Sequence, residues 1–275
     1  GLYLFPKDIL FYWKGLNTVY ADRNPDHFYY LNGSFNHTGW WYYFLWAFII
    51  KTPVPFLAVL SLVLIKYKKQ GLSFLNNVFL VLPVILFLFI TSWKAHNIGV
   101  RYILLVYPFL IVYTGGFLSR LKLDIVKNVF VTISIAVLGL WYVFSAVNVY
   151  PNYLSYFNEI AGGSNNGYKY LDDSNIEWGQ DLKRLSAYQK KDPELKVFLW
   201  TDSNAYRSYG IKNILPLNFK MSDWLNPSGK YAISTHVLIR TRLASQVYNN
   251  ELLDWVDRYK PVDRIGQSFF IYEFP

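Results

Sequence analysis

A short stretch between two apolar runs carries two cations and a histidine, namely Lys94, His96 and Arg101. A guanidinium presents a planar fork of donors that matches phosphate oxygens, and an imidazole can add a hydrogen bond. Cations beside apolar helices also snorkel to the membrane surface without binding any ligand. The stretch therefore predicts either a phosphate-binding site or simple interfacial anchoring.

Lys51 is the one charge between residues 39 and 66, and it directly precedes the prolines at 53 and 55. Prolines lack a backbone donor and crowd the preceding turn, so they predict a break or kink in a helix there. A cation within an apolar run either snorkels or holds an anionic group. Lys51 is therefore a further candidate for contact with an anionic lipid.

An acidic and amide-rich segment lies near a predicted helix start. Its candidate residues are Asp172, Asp173, Asn175, Glu177, Trp178, Gln180 and Asp181. Acids at a helix start cap free amides and complement the helix dipole. Carboxylates and amides also bond sugar hydroxyls, and an indole can stack on a sugar ring. The segment predicts helix capping or acceptor and sugar contact, and it fixes no metal geometry.

Other catalytic signatures are missing from the sequence. There is no cysteine, and His27, His37 and His236 are too widely spaced to suggest a metal site. The sequence has no nucleophilic triad pattern, phosphate-cradling glycine loop or dinucleotide fingerprint. It therefore predicts no cofactor, leaves a divalent-metal requirement open and names no catalytic base.

Composition divides the chain into two parts. Hydrophobic residues make up 53% and charged residues only 16%. Residues 1–148 carry 12 Lys and Arg against 4 Asp and Glu, whereas residues 149–275 carry 15 against 14. The basic excess therefore lies beside apolar runs, where it indicates lipid-headgroup contact and not nucleic-acid binding.

The apolar runs predict membrane helices. Uncharged stretches of 24, 18 and 31 residues cover 70–93, 102–119 and 128–158. About 20 residues cross the hydrocarbon as a helix. We therefore expect a polytopic α-helical membrane domain at 40–149 with about four spans. The expected spans are 40–65, 73–93, 101–119 and 127–148.

Loop charges predict the orientation in the plasma membrane. Six cations flank one side of the spans and two flank the other, which favours the first side as cytoplasmic. We therefore expect an aromatic loop at 1–39 and a small mixed α/β domain at 150–275, both on the outer face. In that domain the pattern predicts helices at 178–190 and 251–259, with strands at 196–200, 230–235 and 268–274.

Several motifs carry a resemblance to a known family. They are the segments 152–163, 166–171, 173–182, 51–53, 96–102 with 107–109, and 229–234. Together they are similar to the C-terminal region of prokaryotic family 39 glycosyltransferases. These are relatives of the dolichyl-phosphate-mannose protein mannosyltransferases, which have the GT-C membrane fold. The resemblance covers roughly residues 30–275 and is most specific at 153–182.

The resemblance implies sugar transfer from a polyprenyl-phosphate carrier to a glycan, lipid or protein acceptor at the outer face. It places the activating carboxylate in an N-terminal half outside this chain, so we expect the chain to be a C-terminal part. It also favours Arg101, His96 and Lys51 for the carrier phosphate. The alternatives are a transporter fragment and a non-catalytic, membrane-anchored carbohydrate-binding protein.

Overall fold

The computed structural model describes most of the chain. The described residues are 13–14, 27–65, 74–94, 96–120, 129–199, 203–215, 227–248 and 258–275. Most of the predicted helix at 251–259 and most of the predicted 1–39 loop lie outside them. Within that loop, β1 (Tyr29–Leu31) and β2 (Ser34–Asn36) pair as an antiparallel hairpin. Its turn residues Asn32 and Gly33 both have positive φ, as two-residue hairpin turns require.

The first expected span is broken into two helices, α1 (Tyr43–Lys51) and α2 (Val54–Ile65), whose axes are bent by 117°. The sequence predicted this break, because Pro53 cannot continue the hydrogen-bond ladder of α1. Asn158 stabilises the bend from a distant part of the chain, since its amide donates to two carbonyl oxygens at the break.

The expected domain with four spans is wrong. Among the described residues, only α5 (Val129–Val149) is long and apolar enough to cross a membrane, or two if the bent α1–α2 pair counts as one span. In α3 (Phe74–Lys94) the apolar stretch covers Asn77–Trp93. Residues 100–103 form a 3₁₀ turn, so α4 (Val106–Leu118) has 13 residues. At 1.5 Å per residue that is about 20 Å, short of the roughly 30 Å of hydrocarbon.

Helix α5 contacts α2, but most of its surface is left uncovered by the rest of the described chain. Its most apolar window has a mean hydropathy of 2.1 and is 6% buried. Large apolar side chains such as Phe130, Leu140 and Phe144 are more than half exposed. The core helix of a soluble domain would be mostly buried, so α5 differs from one in its packing.

A mixed four-stranded sheet forms the C-terminal part. Its strands are β3 (Lys196–Phe198), β4 (Gly229–Ser234), β5 (Asp263–Ile265) and β6 (Phe269–Phe274), in the order β3-β4-β6-β5. Strands β3 and β4 are parallel, and the other two pairs are antiparallel. Three strands lie where the sequence predicted them, and β5 was not predicted.

The two faces of the sheet are covered by different helices. On one face Ala232 and Ile271 pack against α6 (Leu182–Gln189), and a short α7 (Ser203–Ser208) adjoins this side. On the other face Ile233 and Phe270 pack against α8 (Thr235–Tyr248). This alternation follows from the two-residue period of a strand.

The segment between α5 and α6 links the sheet to the helices. It contains four 3₁₀ turns, at Tyr153–Ser155, Glu159–Ala161, Ser164–Lys169 and Asp173–Asn175. Its apolar side chains, including Phe157 and Leu171, share one buried cluster with α1 and α4. The predicted acidic segment is thereby held against the helices, and α6 begins at Leu182, four residues later than predicted.

Candidate functional site

A buried carboxylate lies at the centre of the candidate site. One Asp172 oxygen is 3.0 Å from Nδ1 of His236, and the other is 3.1 Å from a guanidinium nitrogen of Arg240. Burial alone would raise the pKa of Asp172, but the two cationic partners outweigh it and hold that pKa below its ordinary value. The same pairing raises the pKa of His236 against the effect of its own burial. The cluster is therefore a buried ion-pair network with a hydrogen bond between Asp172 and His236.

Glu177 lies beside this network in a different protonation state. Its Oε2 accepts a hydrogen bond from the backbone N–H of His236 at 3.4 Å. Burial is the main cause that raises the pKa of Glu177 to about 8, and proximity to His236 only partly offsets it. Glu177 is therefore mostly a neutral carboxylic acid at pH 7, next to an ionised Asp172.

Histidines that are distant in the sequence meet near this network. His27 interacts electrostatically with His236 and His96. Its burial, together with the positive charge of nearby residues, lowers the pKa of His27 to about 4. The hydroxyl of Tyr29 is hydrogen-bonded to Nδ1 of His96. His27 and His236, which are more than 200 positions apart in the sequence, are thus close enough in the folded chain to affect each other's charge. Among the described residues no group of histidines and acids has metal-binding geometry.

Arg101 and Trp178 form an exposed pair at the edge of the site. The Arg101 guanidinium carbon is 5.1 Å from the centre of the Trp178 ring and 5.3 Å from that of Tyr102. Trp178 is 68% exposed, and Arg101 is exposed as well. Arginine over an indole face is a favourable cation–π arrangement that leaves the guanidinium edge open to an anion.

Asn175 and Lys51 hold the fold together. The buried Asn175 amide accepts from Val100 N at 3.0 Å and donates to the Tyr43 hydroxyl at 2.9 Å. Lys51 Nζ donates to the carbonyl oxygens of Leu154 at 2.7 Å and Asn175 at 2.6 Å. The structure therefore directs the Lys51 ammonium to the backbone of the predicted acidic segment.

Gln180 and Asp181 connect that segment to the sheet. The Gln180 amide donates to Ile176 O and to Ser268 Oγ. Asp181 accepts from Ser268 Oγ at 2.8 Å and pairs with Arg184 at 2.8 Å. Asp181 therefore makes structural contacts, whereas Gln180 also accepts a hydrogen bond from the backbone N–H of Trp178 at 2.7 Å, beside the Arg101 surface.

The other site residues predicted from the sequence are Asp173, His96 and Lys94, and each lies in a different environment. Asp173 has φ +59° and is partly buried, and burial beside Asp172 raises its pKa. His96 is half-buried at the hairpin. The side chain of Lys94 lies outside the described residues. The structure thus brings Arg101, His96 and 172–178 together at one end of the helices.

Sequence reasoning missed His236 and Arg240. They are four residues apart at the start of α8, a spacing that places two side chains on one helix face. That spacing, directly after an apolar strand, was the available signal. Their partner Asp172 is 64 residues away from His236, and no local pattern indicates such a pairing.

Comparisons with protein-family models, curated proteins and solved structures found no match for this chain.

Proposed function

We propose that this chain is part of a membrane glycosyltransferase that takes a sugar from a polyprenyl-phosphate carrier. The observation that carries the proposal is the exposed Arg101–Trp178 pair at a boundary between apolar and polar surface. Leu104 and Leu105, which follow Arg101, are each more than half exposed. A cation beside an exposed apolar helix suits a ligand with an anionic head and a hydrocarbon tail.

We assign separate roles to the two members of the pair. Arg101 would hold the carrier phosphate through charge-assisted hydrogen bonds. Trp178 would pack against the sugar ring that leaves the carrier. The ion pairs of Asp172 would keep the segment that carries Trp178 fixed, because breaking a buried charge network is costly. We assign no catalytic base among the described residues.

The test is donor-dependent sugar transfer by the complete protein with radiolabelled polyprenyl-phosphate sugars. Arg101→Ala should raise the KM for the lipid-linked donor roughly 10–100-fold, because hydrogen bonds to charged groups contribute about 1.5–3 kcal/mol. Arg101→Lys should recover part of this loss, since it keeps the charge without the planar fork. Trp178→Ala should lower kcat/KM for the same donor.

The matched control is Lys183→Ala, which removes an exposed cation on α6 and should leave the donor KM unchanged. An unchanged KM in Arg101→Ala would remove Arg101 from the site. Sugar binding without transfer in the unaltered protein, across a panel of lipid-linked donors, would favour the carbohydrate-binding alternative.

A further inference from the structure

A separate cavity of about 380 Å³ lies where α5 meets the segment that follows it. Its walls come from the end of α5, from residues 152–165 and from the turn between β5 and β6. None of its lining residues belongs to the Arg101 surface or to the Asp172 network. The volume is within the roughly 300–1,000 Å³ of small-molecule pockets. The cavity therefore has the size of a second ligand site.

The lining is rich in amides and hydroxyls. Asn148, Asn152, Asn165 and Gln267 contribute side-chain amides. The Gln267 amide nitrogen donates to Asn165 Oδ1 at 3.0 Å, but its buried Oε1 has no hydrogen-bond partner. Side-chain amides offer both donors and acceptors, so this lining favours a polar ligand that can do the same.

The charges around the cavity disfavour an anionic ligand. None of its described lining residues is Lys, Arg or His, and Glu159 is an acid. Two arginines contact lining residues from outside the cavity: Arg184 is paired with Asp181 and donates to Asn152, and Arg264 donates to the carbonyl oxygen of Asn165. A phosphate or carboxylate would therefore meet a carboxylate in the lining and no cation there.

The same lining fits a neutral sugar. Hydroxyl groups both donate and accept, which matches amide, hydroxyl and carboxylate partners together. Phe144 and Tyr156 supply aromatic surface for the apolar face of a sugar ring. Gly163 has φ +78°, and a methyl group there would meet no atom within 4 Å, so this part of the wall is open backbone.

We infer that this cavity binds a neutral, hydroxyl-rich sugar unit at the end of the apolar helix α5. Exposed aromatic residues surround the position, with Tyr150 and Tyr153 each more than half exposed. Amphipathic rings of this kind settle at a membrane–water interface. The sugar is therefore either a free glycan or the headgroup of a glycolipid. The inference is independent of the Arg101 proposal, because it concerns different residues and is tested by binding alone.

The test uses saturation-transfer NMR on the complete protein in lipid nanodiscs. One arm titrates the methyl glycosides of glucose, galactose and mannose. A second arm compares nanodiscs with and without a neutral diglycosyl diacylglycerol, following intrinsic fluorescence because Trp141 donates to Glu159 at 2.8 Å beside the cavity. Saturable binding in the first arm identifies a free glycan, and binding confined to the second identifies a glycolipid headgroup.

Two variants locate the binding. Gln267→Leu and Asn148→Ala should each weaken the sugar affinity roughly tenfold, the effect of one lost hydrogen bond. Asn148 is exposed at the end of α5, so its variant should fold even if Gln267→Leu does not. Gln246→Leu, at an exposed amide on α8, is the matched control and should bind as the unaltered protein does.

Three results would overturn the inference. They are no saturable sugar binding in either arm, equal affinity in the two cavity variants and the control, and preferential binding of glucose 6-phosphate over methyl glucoside. Sugar transfer that persists while cavity binding is lost would separate this site from the Arg101 surface.

Discussion

Two neighbouring acids show how position decides protonation at the scale of single residues. Asp172 is ionised because His236 and Arg240 compensate for its burial. Glu177 is equally buried but has fewer compensating partners, so its pKa rises to about 8. The sequence placed both in one acidic segment with a shared expected role. Only their long-range contacts make Asp172 an ionised carboxylate and Glu177 a neutral carboxylic acid.

Glu177 should make the folded state less stable as pH rises. Its folded pKa of about 8 is above its ordinary 4.5, so the folded state holds the extra proton between those values. Its contribution is fully present below about pH 4.5 and is lost as pH rises through about 8. The slope from this group approaches about 1.4 kcal/mol per pH unit between the two values.

Glu177→Gln should therefore flatten the fall in unfolding temperature between pH 5 and pH 8, measured by thermal unfolding in detergent. His236 also contributes to the pH profile, so the informative quantity is the difference between variant and unaltered protein. Parallel profiles for the two would show that Glu177 is ionised throughout this range.

At the scale of elements, the bend between α1 and α2 depends on a residue more than 100 positions away. Pro53 ends the helical ladder and leaves buried carbonyl oxygens without intrahelical partners. The Asn158 amide donates to those of Ile49 at 2.6 Å and Thr52 at 2.7 Å. The proline pattern predicted the break, but the partner that stabilises it is visible only in the folded chain.

Asn158→Ala should lower the free energy of unfolding on the order of 3 kcal/mol, because the carbonyl oxygens of Ile49 and Thr52 lose their donor and the N–H groups of Ile160 and Ala161 lose their acceptor. Denaturant titration of the complete protein in detergent measures this loss. The matched control is Asn166→Ala, whose amide donates only to the exposed Gly162 carbonyl at 2.9 Å and should cost about 1 kcal/mol. Equal losses in the two variants would argue against a special role for Asn158.

At the scale of the whole molecule, an apolar helical part is joined to a mixed sheet through the segment 150–181. That segment shares its core with α1 and α4, and Gln180 and Asp181 bind it to the sheet. Helix α5 contacts α2 but leaves most of its apolar surface uncovered by the described chain. A lipid bilayer would cover that surface and so remove a large apolar area from contact with water.

We expect α5 to cross the membrane and the sheet to lie on the outer face. The chain has no cysteine, so single cysteines can be introduced without background from it. Lys183→Cys, on exposed α6, should react with a membrane-impermeant maleimide in intact cells. Leu140→Cys, 71% exposed near the middle of α5, should react only slowly, because lipid would cover it.

The cysteine-free chain is the control for labelling of other sites. Rapid labelling of Leu140→Cys in intact membranes would show that water, and not lipid, covers α5. Labelling of Lys183→Cys only after the cells are broken would place the sheet in the cytoplasm.

The sequence alone determined the features that depend on local pattern. Apolar runs predicted the helices, the prolines at 53 and 55 predicted the bend, and the local residue pattern predicted three strands. It overestimated the spans, because an uncharged run does not show where a helix begins, and α4 starts only at Val106.

Only the tertiary structure decided which polar groups meet. It joined Asp172 to His236 and Arg240, directed Lys51 to backbone carbonyl oxygens and left Arg101 exposed on Trp178. It also formed the cavity at the end of α5 from segments about 100 residues apart. Such contacts depend on packing between distant segments. The types of the residues and their spacing along the chain do not predict that packing.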